Sequence, residues 1–119
     1  MAVLPDPGAK GALPPGRYRA TKDQVRARFV DGRGPRRARL WRDWQSVTNL
    51  LARHVRVNAA WLYGPFLSEA ADPAVVHCVY WAEDLELGKA ELDPTVKSLL
   101  RAFALPGQVR RLVGVQVDT

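Results

Sequence analysis

A loop that contains a glycine, and the strand predicted to follow it, have an arrangement that could bind a phosphate group and metal ions. The loop reads Trp61-Leu-Tyr-Gly64-Pro65-Phe66, and the next apolar run contains Val75 and His77. Glycine lets the backbone approach a phosphate group closely, and residues two apart on a strand project from the same face. Two carboxylates at positions 75 and 77 would therefore hold Mg²⁺ ions beside a bound phosphate. The residues present are valine and histidine, so neither position supplies such a carboxylate.

Other side chains are weak substitutes for those ligands. Glu69, Asp72 and Asp118 would have to converge, and the first two fall on a predicted loop, where acidic residues are usually solvated. His77 could exchange protons, although a single strand histidine is more commonly a hydrogen-bonded core or pocket residue. Cys78 is the only cysteine in the chain and is expected to be a buried apolar side chain. We therefore expect neither a metal site nor a cofactor.

Positive charge is concentrated in the first half of the chain. Residues 1–60 carry a net charge of +9, whereas residues 61–119 carry −3. The planar guanidinium of arginine suits phosphates and carboxylates, so this half could bind nucleic acid or an acidic protein. An arginine-rich solvated face without a ligand, as in proteins from GC-rich genomes, explains the composition equally well. The candidate binding residues are Arg33, Arg36, Arg37, Arg39 and Arg42, together with the aromatic Trp41.

The helices of the first half are predicted from capping signals and apolar periodicity. The stretch Thr21-Lys-Asp-Gln24 has the pattern of a capping box and predicts a short helix from about Lys22 to Phe29. Pro35 suits the first turn of a second helix, which we expect to end near Arg53. Trp41 lies beside the apolar stripe of that helix, where a core aromatic is more common than a base-stacking platform. The stripe consists of Leu40, Trp44, Val47, Leu50, Leu51 and Val55.

The second half is predicted to supply the sheet. The apolar segments Val57–Tyr63 and Val75–Trp81 predict two buried strands. The acidic residues 83–91 predict a solvated loop, Asp93-Pro94 the start of a helix, and Arg111–Val117 a third strand. This order predicts an α/β (α+β) domain with a small mixed sheet, two N-terminal helices and one later helix.

The length and composition of the chain limit the class of protein to which it can belong. A chain of 119 residues is long enough for one folded domain. Residues 1–16 are rich in proline and glycine and predict an extended arm, followed by a domain over residues 17–119. No apolar run approaches the roughly 20 residues that cross a bilayer, and no signal-peptide pattern is present. We therefore expect a cytoplasmic protein without membrane contact.

The sequence resembles a family of short bacterial and phage proteins over about residues 10–118. The resemblance lies in Leu13-Pro14-Pro15-Gly16-Arg-Tyr-Arg-Ala20-Thr21, in Gln24–Val30, in the arginine-rich helix, and in Trp61-Leu-Tyr-Gly64-Pro65-Phe66. That family looks like the minimal nucleotidyltransferases of the DNA polymerase beta superfamily. The resemblance implies a strand ending in Gly-Ser, an Asp-x-Asp pair on the next strand, and a third carboxylate from a neighbouring strand, which together hold two Mg²⁺ ions.

Carried onto this chain, that pattern departs at nearly every functional position. Pro65 replaces the serine and has neither a hydroxyl group nor an amide hydrogen. Val75 cannot bind a hard cation, and His77 offers a nitrogen ligand that Mg²⁺ disfavours. The degenerate nucleotidyltransferase positions are Gly64, which matches, and Pro65, Val75, His77, Gln116 and Asp118.

The resemblance and its departures together imply a catalytically inactive nucleotidyltransferase-like domain that acts as a binding module. We expect a protein partner, in a setting such as a toxin–antitoxin pair, phage defence or phage take-over of host machinery. Tyr18, Trp41 and Trp81 are candidate aromatic anchors for that partner. Two alternatives remain open, namely nucleic-acid binding through the arginine-rich helix and residual nucleotide binding or transfer.

Overall fold

Two helices form the first half of the fold, and each begins where the sequence supplies a start signal. A computed structural model describes residues 17–69 and 72–119, so the predicted arm over residues 1–16 lies outside the described residues. Helix α1 spans Lys22–Phe29, and its capping box is formed: the Gln24 amide donates to Thr21 Oγ1 over 3.1 Å, and the Thr21 amide donates to Gln24 Oε1 over 2.8 Å. Helix α2 spans Pro35–Ala52 with proline in its first turn. Both predicted helices are confirmed.

The sheet has three strands, of which the central one pairs in both directions. Strand β1 (Ala59–Tyr63) is antiparallel to β2 (Val76–Trp81), and β2 is parallel to β3 (Val117–Asp118). The fold is therefore α+β with a small mixed sheet, as predicted. Because His77 is paired with Tyr63 on one side and with Asp118 on the other, the end of the sheet gathers residues from all three strands.

The core lies between α2 and one face of the sheet. Trp41 stacks on Trp44 with ring centroids 4.8 Å apart and on Phe66 at 6.4 Å. Phe66 comes from a short 3₁₀ turn, Pro65–Leu67, which follows β1 and closes this end of the core. The main cluster of buried residues consists of Val30, Leu40, Trp41, Trp44, Val47, Phe66, Val76, Cys78, Val109 and Val117.

The second half contains more helix than the sequence indicated. Residues 84–90 form helix α3 (Asp84–Ala90) instead of a loop, because acidic residues in its first turn and Lys89 in its last turn complement the helix dipole. Helix α4 (Pro94–Ala104) is confirmed, with Asp93 as its cap. The predicted third strand over residues 111–117 is wrong in extent, since its first three residues belong to α5 (Gln108–Val113) and the strand itself is Val117–Asp118.

A partly buried tyrosine links α2 to the sheet and makes the stability of the fold depend on pH. Tyr80 Oη and Thr48 Oγ1 are 2.6 Å apart. Burial, and next the neighbouring Cys78, raise the pKa of Tyr80 above its ordinary value. The folded state therefore disfavours the tyrosinate, while the unfolded chain ionises at about pH 10.

We expect the Tyr80 contribution to stability to be fully present below about pH 10 and to fall as the pH rises above that value. Tyr80→Phe should cost about 1 kcal/mol at neutral pH and should flatten the alkaline loss of stability. Urea unfolding across the alkaline range measures both effects, with Tyr63→Phe on the exposed face as the control. An alkaline slope that is equally steep in Tyr80→Phe would contradict this assignment.

Candidate functional site

The loop after β1 depends on a glycine that no other residue can replace without strain. Gly64 has a φ of +86°, and a Cβ atom built on it would lie 2.7 Å from His77 Cδ2. The Gly64 carbonyl accepts from the Leu67 amide over 3.1 Å, which closes the 3₁₀ turn. The loop backbone and the His77 ring are therefore in direct contact.

Gly64→Ala is expected to destabilise the fold by about 2 kcal/mol, because the positive φ and the contact with His77 each oppose a Cβ atom. His77→Ala should remove the contact, so that only the strain of the positive φ at position 64 remains. In a double-mutant cycle on the free energy of unfolding, the loss from Gly64→Ala should be smaller in the His77→Ala background. Equal losses in both backgrounds would contradict the close approach.

A buried arginine holds the loop from beneath. Arg37 is only 2% exposed. Its guanidinium donates to the carbonyl oxygens of Phe29 (3.1 Å), Phe66 (2.6 Å) and Ser68 (2.7 Å), and it lies 5.3 Å from the centre of the Phe66 ring. Burial, and secondarily the charge of Arg33, lower the pKa of Arg37. This arginine therefore fastens the end of α1 and the 3₁₀ turn to α2.

A cluster of polar side chains lies at the end of the sheet beside Gly64. His77 Nδ1 lies 3.8 Å from Asp118 Oδ2, and Arg110 Nε lies 3.6 Å from Asp118 Oδ1. Asp118 Oδ1 also accepts from the Gly107 amide over 3.0 Å, and the His77 ring stacks on Tyr63 with centroids 5.2 Å apart. The Asp118 carboxylate thus accepts one backbone hydrogen bond and lies close to the side chains of Arg110 and His77.

The other positions that the sequence analysis singled out do not complete a metal site among the described residues. Val75 precedes β2 and is half-buried, Glu69 and Asp72 are exposed, and Gln116 is exposed with its carbonyl accepting from the Val76 amide over 3.0 Å. Within residues 17–69 and 72–119, no group of three or more His, Cys, Asp or Glu residues is placed to hold a metal ion. The structure brings His77 and Asp118 together, whereas Val75 precedes β2 and contributes no ligand.

One face of the sheet is open and aromatic, which corrects the prediction that both strands are buried. The register places three rows on this face, namely Ala59 with Trp81, Trp61 with Val79, and Tyr63 with His77. The exposed fractions are 41% for Trp61, 50% for Tyr63, 42% for Val79 and 57% for Trp81. We call these six residues the aromatic face. Large apolar side chains gathered on one exposed surface are typical of binding sites.

A basic hollow adjoins the first row of the aromatic face. It has a volume of about 710 Å³, and Ala59 belongs to both surfaces. The Asn58 amide donates to the Trp81 carbonyl over 2.8 Å, so the wall of the hollow continues into the sheet. Its charged and polar lining residues are Lys22, Thr48, Asn49, Arg53, His54, Arg56, Asn58 and Glu86. Three of these are Lys or Arg and one is acidic.

The arginine candidates from the sequence divide into buried and exposed residues. Arg37 is a structural residue of the core and is not available to a ligand, and Trp41 is likewise buried against Trp44 and Phe66. Both are corrections to the proposed binding set. The exposed members are Arg33, Arg36, Arg39 and Arg42, of which Arg36 donates to the Pro73 carbonyl over 2.8 Å.

The sequence analysis missed Trp61 and Tyr63 as surface residues, together with Arg53, Arg56 and Arg110. The segment Ala59-Ala-Trp-Leu-Tyr63 is apolar at every position, so periodicity does not show that one face lacks a covering layer. The signal that was present is the alternation of aromatic residues, with Trp61 and Tyr63 two apart on β1.

The sequence matches the family of unknown function DUF6932 over residues 5–115, so the chain belongs to that family. No curated protein and no solved structure matches the chain significantly. Among the described residues no helix is long and apolar enough to cross a membrane.

Proposed function

We propose that this protein is a nucleotidyltransferase-like domain that does not transfer nucleotides and that works as a binding module through its aromatic face. The observation that carries the proposal is the exposure of Trp61, Tyr63, Val79 and Trp81 on one face of the sheet. Tryptophan and tyrosine give large contact areas at low entropic cost, and they are enriched among the residues that dominate binding energy.

The residues at the end of the sheet support binding over catalysis. A transferase of the resembled type needs carboxylates at positions 75 and 77, where this chain has an apolar residue and a histidine in contact with Gly64. The remaining carboxylate, Asp118, accepts from the Gly107 amide and lies near Arg110 and His77, and among the described residues it belongs to no group of side chains that could hold a metal ion. The face that would have served the reaction instead presents aromatic rings.

The first arm of the test is the transfer reaction itself. Purified protein incubated with radiolabelled nucleoside triphosphates and Mg²⁺ or Mn²⁺ should transfer no label to itself, to added protein or to nucleic acid. Transfer above the background of a heat-inactivated sample would overturn the proposal.

The second arm asks whether the aromatic face carries the binding. In affinity purification from the native host, we expect the wild-type chain to retain a component that Trp61→Ala/Trp81→Ala loses. Leu92→Ala/Leu112→Ala is the matched control, because both leucines are exposed apolar residues outside the sheet. Nuclease treatment of the extract separates a nucleic-acid ligand from the protein partner that the sequence favoured. Retention that is identical in the face variant and in the wild type would overturn the proposal.

A further inference from the structure

We propose that the ligand of the aromatic face is a single-stranded nucleic acid whose bases stack on the face and whose phosphates run into the basic hollow. This inference rests on the proposed function and names the class of its ligand. It differs from the sequence-based hypothesis, which placed nucleic acid on the arginines of α2.

The aromatic rings of the face are regularly spaced along the strands. Trp61 and Tyr63 are two residues apart on β1, so their positions are separated by about 6.7 Å along the strand. Trp81 lies diagonally across from Trp61, in the row of Ala59. This spacing is comparable to that of successive nucleotides in an extended strand. Stacking of bases on such rings tolerates any sequence, because every base has a π-face.

At the Ala59 end of the aromatic face, the small side chain of Ala59 leaves room beside the exposed ring of Trp81. Ala59 stands opposite Trp81, the most exposed aromatic residue of the face. A nucleotide that stacks on Trp81 therefore meets no large side chain on the paired strand. Its backbone would continue over Ala59 into the basic hollow, because Ala59 lines that hollow.

Charge favours nucleic acid over a protein partner. The basic hollow holds Lys22, Arg53 and Arg56 against Glu86. The Arg17 guanidinium lies 5.0 Å from the centre of the Trp61 ring, so a further cation stands at the aromatic face itself. The cores of protein interfaces are depleted of charged residues, whereas grooves for single strands combine cations with aromatic rings.

The test measures binding of short fluorescently labelled oligonucleotides by anisotropy, with RNA, DNA and duplex arms. We expect single strands to bind and the corresponding duplex to bind much more weakly, because its bases are already stacked. The difference between the RNA and DNA arms identifies which kind of strand the protein prefers. Trp61→Ala and Trp81→Ala should each weaken binding by about tenfold or more, and Trp61→Phe should retain most of it.

A matched pair of double variants separates the basic hollow from the arginine-rich helix. The slope of log affinity against log salt is negative, and Arg53→Ala/Arg56→Ala should reduce its magnitude by about 1.4, as expected for two lost phosphate contacts. Arg39→Ala/Arg42→Ala removes the same charge from α2 and should leave the slope unchanged. Circular dichroism and thermal unfolding of each variant show that the fold is retained.

The inference is overturned if the wild type binds no single strand at low salt or if it binds the duplex equally well. It is also overturned if Arg39→Ala/Arg42→Ala reduces the magnitude of the salt slope as much as Arg53→Ala/Arg56→Ala does. The proposed function is judged separately. It survives the first result if a nuclease-resistant component is still retained through the aromatic face, and it fails if the protein transfers nucleotides.

Discussion

Arg37→Ala is expected to lower the free energy of unfolding by about 3–4 kcal/mol, the largest effect of any single substitution considered. The guanidinium is buried and donates to three carbonyl oxygens, which belong to Phe29, Phe66 and Ser68. Its removal leaves these acceptors without their partner and opens a void next to Phe66. Since a domain of this size is stable by about 5–15 kcal/mol, the loss is a large part of the total.

Two further variants identify the cause of the Arg37 effect. Arg37→Met keeps an apolar stem and removes the hydrogen bonds, so it should lose nearly as much stability as Arg37→Ala. Arg39→Ala, on the exposed side of the same helix, should change stability by no more than about 0.5 kcal/mol. Chemical denaturation measures all three variants. An Arg37→Met protein as stable as the wild type would show that the three hydrogen bonds contribute nothing net.

Restoring the residues of the resembled transferases is expected to destabilise the protein without creating activity. In the variant Pro65→Ser/Val75→Asp/His77→Asp, the carboxylate at position 77 would stand beside Asp118, whose Oδ2 atom is 3.8 Å from His77 Nδ1 in the wild type. The residue at position 75 is half-buried and adjoins the buried Val76. Partly buried like charges without a metal should cost about 2–4 kcal/mol at neutral pH.

Thermal unfolding with and without Mg²⁺ and ATP, together with transfer of labelled nucleotide, tests this expectation. The control is Pro65→Ser/Val75→Asn/His77→Asn, which has nearly the same shape without the added charges and should be more stable than the aspartate variant. An aspartate variant that is stabilised by Mg²⁺ and ATP, or that transfers nucleotide, would show that the site lacks only its ligands.

Local signals predicted the elements that have caps and strong periodicity. The capping box at Thr21, the proline that opens α2 and the Asp93 cap of α4 all lie where the sequence placed them. Helices α3 and α5 were missed for different reasons. The acidic composition of residues 84–90 resembles a solvated loop. Helix α5 has only six residues, and its Leu-Val end continues into the Val-Gln-Val of residues 115–117, so the segment also suits a strand.

The candidate site was less predictable, because it depends on which surfaces are covered. Arg37 precedes Leu40 by three residues, so extending the apolar stripe of α2 by one turn would have placed this arginine in the core. The aromatic face left a weaker signal, since β1 is apolar on both faces and only the tertiary structure shows which face α2 covers. The contact of His77 with Gly64 follows from strand pairing, which the sequence does not specify.

The most direct test of binding through the aromatic face is an NMR titration that follows the backbone amide signals and the indole N–H signals of the four tryptophans. Trp61 and Trp81 are exposed on the aromatic face, whereas Trp41 and Trp44 are buried in the core. On addition of a single-stranded oligonucleotide, the indole signals of Trp61 and Trp81 should shift together, while those of Trp41 and Trp44 should not change. In a separate titration, Mg²⁺ with ATP should leave the amide signals of Gly64 and His77 unchanged. Shifts confined to the arginines of α2, or Mg²⁺-dependent nucleotide shifts at Gly64 and His77, would contradict the account.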